Sequence, residues 1–488
     1  MGNTIIRYIL GQVLKIQAIL MLLPCLVALI YREHVGVYYF ATAAGCALFG
    51  MLMTLRKPTQ AVFYLKEGCI TTSLSWILLS VFGAIPLFLS GEIPSFIDAL
   101  FESVSGLTTT GATILSDVEA LSHCSLFWRS FSHWIGGMGV LVFMLAIIPL
   151  SGGSNMNLMR AESPGPSVGK LVPKIRYTAR ILYIIYFSMT LAAILMLALG
   201  GMPLFDAVNT ALATAGTGGF SIKADSMAGY SAYIQWVVTV FMILFGINFN
   251  AYYLLLFRNF RKAFGMEEVR YYLLTILVST GIIFANIVNT SSSAFRALTD
   301  AAFQVASIMT STGFSTADFN LWPHTSQTLL VLIMFIGACA GSTGGGIKVS
   351  RIMILLKSLR KEITSYIHPK SIKKIRIEGK PVEHEVVRSV NVYIITYLII
   401  FVVSVFLISI EERDLVTNFT AVAATINNTG PGLSMVGPVE NFGFFCGFSK
   451  FVLMLDMLAG RLELFPLLIL FYPAAWKNVW IRKKQPSP

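Results

Sequence analysis

Thr108-Thr109-Thr110-Gly111-Ala112-Thr113 sits between a short apolar run, Phe96 to Leu107, and a much longer one. The same shape returns three times, as Gly216-Thr217-Gly218-Gly219-Phe220-Ser221, Thr310-Ser311-Thr312-Gly313-Phe314-Ser315 and Asn427-Asn428-Thr429-Gly430-Pro431-Gly432. Counted from the Thr of each Thr-Gly pair, the steps are about 107, 95 and 117 residues, a long-period internal repeat. Each core is a small hydroxyl residue followed by glycine, in flanks that cannot stay helical. Backbone carbonyls freed from helix hydrogen bonding are the ligands that replace water around an alkali cation. Glycine lets successive carbonyls point one way because it tolerates positive φ. One Thr-Gly pair carries no information. Four at matching places in four apolar hairpins predict a ring of loops around a pore.

Composition places the chain in lipid. Of 488 residues, 56% are hydrophobic and 12% charged, and mean hydropathy is +0.73. A soluble chain would carry roughly twice that charge. Several apolar runs reach the ~20 residues that a bilayer span requires, which predicts an all-α polytopic membrane protein. The net charge of +12 does not call for a nucleic-acid partner, because basic residues gather in the loops between spans. Cys25, Cys46, Cys69, Cys124, Cys339 and Cys446 are scattered singly, without zinc or disulfide spacing. Ile5 to Tyr31 is too long for a signal h-region and reads as a retained span. Membrane hydrolases and metalloenzymes group His, Asp, Glu or Ser on facing spans, as in H-E-x-x-H. The sequence has no such cluster, which argues against an enzyme.

Residues 1–60 hold two spans, about Ile5–Tyr31 and Val35–Leu55, outside the repeat. Four pore repeats follow over 61–165, 166–265, 266–388 and 389–488. Their first spans are expected at Cys69–Ser90, Ile181–Leu199, Tyr271–Val288 and Val390–Ile410. Half-length segments follow at 96–108, 205–215, 295–309 and 416–426. Second spans run Cys124–Leu150, Tyr230–Phe257, from about Thr328, and Gly443–Trp476. The fold class is therefore four pseudo-repeats of span, pore helix, filter loop and span around one pore, plus two extra N-terminal spans. The N-terminus, residues 56–66, 151–180, 258–270, 348–388 and the tail hold 28 of the 36 Lys and Arg. The positive-inside rule makes that face cytoplasmic, so all four loops dip in from outside.

Within this frame a few residues stand out. Asp98, Asp206, Asp300 and Asn418 lie 11 or 12 residues before the filter Thr. They read as caps at the positive ends of the pore helices, or as an electronegative mouth for cations. Glu102, one turn on from Asp98, reads either as pore-proximal or as wedged behind the filter, the structural place being preferred, and Arg129 and His133 read as structural. Gly341-Ser342-Thr343-Gly344-Gly345-Gly346 interrupts the second span of repeat three. Each glycine disfavours helix by ~1 kcal/mol relative to Ala, so the span should unwind. Irregular backbone at membrane depth survives only buried in protein or lining a cavity, which leaves a packing kink or a mobile flap in the ion path. The flap is the preferred reading. The run followed by Lys348 lacks the Ser or Thr and the preceding strand of a phosphate-binding loop. Arg461, halfway along the last span, costs at least ~2.5–3.5 kcal/mol in lipid, so it should face the bundle interior. Its five donors suit the bare carbonyls of the glycine break.

These motifs together resemble the superfamily of K⁺ transporters comprising the bacterial Trk and Ktr systems and plant HKT proteins. The four loops are similar to that family's filters, the Gly341–Gly346 break to its gating loop, and Gly460-Arg461 to its arginine below that loop. Two extra N-terminal spans favour the TrkH/TrkG branch. The resemblance implies K⁺ held by Thr109, Thr110, Gly111, Gly216, Thr217, Gly218, Ser311, Thr312, Gly313, Asn428, Thr429 and Gly430. It implies gating by Gly341, Ser342, Thr343, Gly344, Gly345, Gly346 and Arg461. It further implies a homodimer in the bacterial inner membrane, K⁺ uptake without a cofactor, and a cytosolic TrkA-type nucleotide-binding regulator docked on the basic face. The rival is a K⁺-binding pore subunit of an ATP-driven, Kdp-like pump, which would arrive with a P-type ATPase instead.

Overall fold

Apolar length fixes the outer helices. Among the described residues, six helical stretches are long and apolar enough to cross a membrane: Ile5–Tyr31, Gly36–Thr54, Leu65–Leu89, Ala179–Leu199, Glu267–Ile287 and His384–Glu411. They are the N-terminal hairpin and the expected first span of each repeat. The computed structural model describes residues 2–56, 65–139, 175–369 and 374–480. The linker 151–174, the second half of the Cys124–Leu150 span and residues 481–488 lie outside the described residues.

The N-terminal part comprises α1 (Gly2–Leu20), α2 (Leu22–Tyr31) and α3 (Gly36–Thr54). α1 and α3 touch backbone to backbone, since a Cβ on Gly50 would stand 2.8 Å from the Gly11 carbonyl oxygen. The turn after α2 carries Glu33, whose carboxylate accepts from the His123 and Cys124 amides at 2.9 and 3.0 Å. Those are free N–H groups at the start of α6 (His123–Met138), so Glu33 caps a helix of repeat one from outside the repeat.

Each repeat opens with a long helix and a short one. The long helices are α4 (Leu65–Leu89), α7 (Ile175–Leu199), α12 (Glu267–Ile287) and α16 (His384–Ile408). The short ones are α5 (Phe96–Leu107), α8 (Leu204–Gly216), α13 (Ala294–Met309) and α17 (Leu415–Ile426). The long helices present Leu195, Leu277, Val402 and Phe406 to the surroundings, as lipid-facing spans do. The short helices are buried towards their C-terminal ends, Ala421 to Ile426 completely so.

Capping corrects one expectation. Ser95, Ser293 and Asp414 accept the free amides of α5, α13 and α17, while Pro203 precedes α8 without a side-chain cap. Asp98, Asp206, Asp300 and Asn418 sit further in and find other partners. Asp98 pairs with Lys450 at 2.5 Å. Asp206 accepts from the Tyr230 hydroxyl at 2.8 Å, and Asp300 from Arg296 and Thr316. The Asn418 amide donates to the Arg413 carbonyl at 3.0 Å. Caps belong to the residue just outside the helix, where φ and ψ leave the side chain free to turn back.

The second spans differ more. Only repeat three was expected to break, yet all four helices stop early. α6 ends at Met138 before Gly139, and α9 (Ala232–Phe245) turns by 88° into α10 (Phe249–Leu256). α14 (His324–Ile336) ends before a loop and α15 (Val349–Ile367). α18 (Gly447–Arg461) ends before α19 (Phe465–Phe471) and α20 (Pro473–Trp480), with Glu463 and Leu464 at positive φ. A run of apolar side chains reports hydrophobicity and not hydrogen bonding, so these breaks are silent in the pattern. The short α11 (Phe260–Phe264) precedes α12. The antiparallel hairpin β1 (Arg376–Ile377) with β2 (Lys380–Pro381) lies between α15 and α16.

Candidate functional site: four loops and a broken helix

The four short helices end alike. In the first, the Thr109 amide donates to Gly106 O and the Thr110 amide to Ser105 O. The same pair of bonds runs Thr217 to Thr214 and Gly218 to Ala213, Ser311 to Ile308 and Thr312 to Ser307, Asn428 to Thr425 and Thr429 to Ala424. This is a Schellman end, whose C′ residue must be left-handed. Thr109, Thr217, Ser311 and Asn428 have φ of 57°, 54°, 57° and 52°. A non-glycine residue there costs roughly 1–2 kcal/mol, so the surroundings impose the same strained turn four times.

Two residues on, Gly111, Gly219, Gly313 and Gly430 have φ of 80°, 73°, 88° and 95°. Here the backbone demands glycine, and the neighbours demand it too. A Cβ on Gly111 would fall within 3.0 Å of Gly218 O, one on Gly219 within 3.0 Å of Thr312 O, and one on Gly313 within 3.0 Å of Thr429 O. One on Gly430 would stand 2.7 Å from Thr110 O. The contacts run loop one to two, two to three, three to four, and four back to one. A cavity opens over the same four glycines, with Arg129, Lys223 and Glu440 in its walls.

This geometry shifts the expected register in loop two by one residue. Thr217 aligns with Thr109, Gly218 with Thr110 and Gly219 with Gly111, while Gly216 is the last residue of α8. The reason is His133. Its Nδ1 lies 2.7 Å from Gly106 O, and its Nε2 accepts the Phe220 amide at 3.2 Å, which fixes the neutral Nδ1–H form. The ring then fills the space a side chain at 218 would need. A Thr cannot stand there, so the Thr-Gly count misled by one.

Behind loop one, Glu102 is fully buried as expected. It pairs with Arg129 at 2.8 Å and accepts from Thr113 Oγ1 and the Ile114 amide. Arg129 also donates to Ser221 O at 3.2 Å and lies over the Phe220 ring, so the pair ties loop one to loop two.

The Gly341–Gly346 segment folds up against the loops. The Gly345 amide donates to Ser311 Oγ, and a Cβ on Gly344 would stand 2.8 Å from Thr310 O. Gly341 O accepts from the Phe249 amide at 3.0 Å and the Cys339 amide donates to Gly246 O at 3.1 Å, so the break in repeat two and the break in repeat three satisfy each other. Ser342 Oγ donates to Cys339 O, and Thr343 Oγ1 to Phe245 O. Arg461 Nη1 donates to Thr343 O at 2.9 Å, and its Nη2 to Gly136 O and Gly137 O. The arginine thus meets the carbonyls of two broken helices at once.

Sequence reasoning missed a second set of charges here. Buried Lys348 donates to Gly344 O and Gly345 O. Arg351 pairs with Glu463 and stacks on Tyr393. Glu268 reaches the loop from α12. The signal for Lys348 is its place in the sequence, two residues after the glycine run and beyond Ile347.

The sequence matches the TrkH family of cation transport proteins over residues 38–478. The chain belongs to that family. The Trk system potassium uptake protein TrkH of Escherichia coli K12 is 37% identical over 484 residues, covering 97% of this chain and 99% of the relative. TrkG of the same organism is 34% identical over 488 residues, with 97% and 99% covered. The crystal structure of the potassium transporter TrkH from Vibrio parahaemolyticus superposes with a TM-score of 0.87 at 34% identity, covering 97% of this chain and 99% of that one. As a TrkH-family member the chain is a membrane transport protein and not an enzyme. The pump-subunit rival draws no support from these relatives.

Proposed function

We propose that this protein takes up K⁺ across the bacterial inner membrane through a pore formed by four repeats, with the Gly341–Gly346 loop as its gate. The observation that carries the reading is the closed cycle in which each loop's glycine abuts the next loop's carbonyl. In this reading such packing gathers backbone carbonyls of four chain segments around one pore, where they replace a cation's water shell. The four helix C-termini bring the negative ends of their dipoles to the same place, which favours a cation. The relatives are named for potassium uptake, which supports K⁺ as the cargo. The five-part division of the chain follows from the four-fold repeat, and the outward-facing loops from the distribution of basic residues.

Below the loops, Arg461 and Lys348 hold the carbonyls of the glycine segment. In this reading they keep the segment under the filter and oppose a passing cation with their own charge. A TrkA-type ring on the basic cytoplasmic face of a homodimer withdraws the segment by pulling α15.

The test is K⁺ flux into vesicles holding the purified protein, with and without its regulator. Arg461→Ala or deletion of Gly344–Gly346 raises unregulated flux about ten-fold, the ratio that ~1.4 kcal/mol lost from the closed state produces. Folded variants that conduct no more than the parent would show the segment to be a packing kink. Failure of the parent to support growth of a K⁺-uptake-deficient strain at low K⁺ would remove the function itself.

A further inference from the structure

The gate has two feet, and one buried carboxylate holds both. Glu268 stands in the first turn of α12 and is 8% exposed. Its Oε1 accepts the Ala340 amide at 2.7 Å and the Ser350 amide at 3.2 Å. Ala340 precedes the glycine segment, and Ser350 is the second residue of α15, beyond it. Oε2 accepts from the Asn248 side chain at 3.4 Å, in the break between α9 and α10. A carboxylate removed from water is stable only where hydrogen bonds satisfy it, and these donors all belong to the gate or to the break that abuts it.

The preceding residue faces the other way. Glu267 pairs with Lys357 on α15 and accepts the Glu378 amide at 3.0 Å, in the turn of the β1–β2 hairpin. Lys357 also donates to Arg376 O at 2.8 Å, on β1. Both members of this pair are partly exposed, on the side of the protein opposite the loops.

We propose that Glu267 and Glu268 are adjacent positioning residues that couple the cytoplasmic hairpin to the gate. Glu267 fastens α15 to the hairpin, and Glu268 clasps the two feet of the gating segment. A pull on the hairpin and α15 draws Ser350 off Glu268 while Ala340 stays, so the segment swings away on one foot. This rests on the gated-pore reading above.

The experiment compares Glu268→Ala, Glu268→Asp, Glu268→Gln and Glu267→Ala in full-length protein in vesicles. It reads rubidium flux with and without regulator, and hydrogen–deuterium exchange across residues 338–350. Glu268→Ala raises unregulated flux several-fold and speeds exchange of the segment. Glu268→Asp keeps the charge but shortens the arm by one carbon, and leaks as well. Glu268→Gln keeps an acceptor oxygen for both feet and stays close to the parent. Glu267→Ala lowers the response to regulator. Parent-like flux and exchange in both the Ala and Asp variants overturn the clasp, as does a Gln variant as leaky as Ala. A parent-like response in Glu267→Ala overturns the coupling. The deletion of Gly344–Gly346 is measured alongside: if it conducts freely while Glu268→Ala does not, the clasp fails and the gate stands. If the deletion is silent, the gate reading has failed first.

Discussion

At Gly111 two independent demands meet. Its φ of 80° excludes most side chains, and a Cβ there would press on Gly218 O. Gly111→Ser therefore pushes the second loop's carbonyl outward and puts a hydroxyl where the other three loops present only backbone. The expected outcome is a lower preference for K⁺ over Na⁺, read from reversal potentials under opposed K⁺ and Na⁺ gradients. An unchanged ratio would mean that Gly111 does not shape the filter. The position of this glycine was legible because a Thr-Gly pair marks it. The register of loop two was not, because it is set by the His133 ring, 85 residues earlier in sequence than Gly218. No local pattern contains that contact. Arg461 lies between these cases: the cost of an arginine in lipid announced it and its carbonyl partners in the glycine segment, but not the further bonds to Gly136 and Gly137.

Among the elements, the long outer helices were readable from hydrophobic length, and their observed ends differ from expectation mainly where helix continues into polar sequence, as at His384 and Glu267. The inner helices show the limit of that signal. Their breaks are stabilised by partners far away in sequence: Gly246 with Cys339, Gly341 with Phe249, and the Glu463 turn with Arg351. Only the glycine-rich break advertised itself, because four poor helix formers outweigh any tertiary help. Close packing beside the breaks gives a test. A Cβ on Gly136 would run into Leu107 O, whereas one on Gly281 of α12 meets nothing within 4 Å. Gly136→Ala should cost about 1–3 kcal/mol, as overpacking usually does, and lower the thermal unfolding temperature in detergent. Gly281→Ala should be neutral or up to ~1 kcal/mol stabilising. Equal behaviour of the two variants would mean that α6 does not press on the end of α5 as described.

For the whole molecule, the cycle of loops fixes an axis but not which end faces out. We infer that direction from charge alone: the positive-inside rule would put the basic segments between spans in the cytoplasm and open the loops to the exterior. A one-span error would place neighbouring basic segments on opposite sides, so the assignment stands or falls as a unit. The protein carries its own reporter. Among the described cysteines Cys446 is exposed, while Cys25 is half-buried and Cys46, Cys69, Cys124 and Cys339 are buried. Cys446 lies just before α18, on the loop side of the bundle, whereas the exposed Lys380 sits in the hairpin that Glu267 holds. A membrane-impermeant maleimide applied to intact spheroplasts should therefore label the parent protein and fail to label Cys446→Ser. In that background Lys380→Cys should stay unlabelled until the membrane is opened. Labelling of Lys380→Cys from outside would invert the molecule, putting the glycine segment on the outer side of the filter and removing the physical basis for control by a cytosolic regulator.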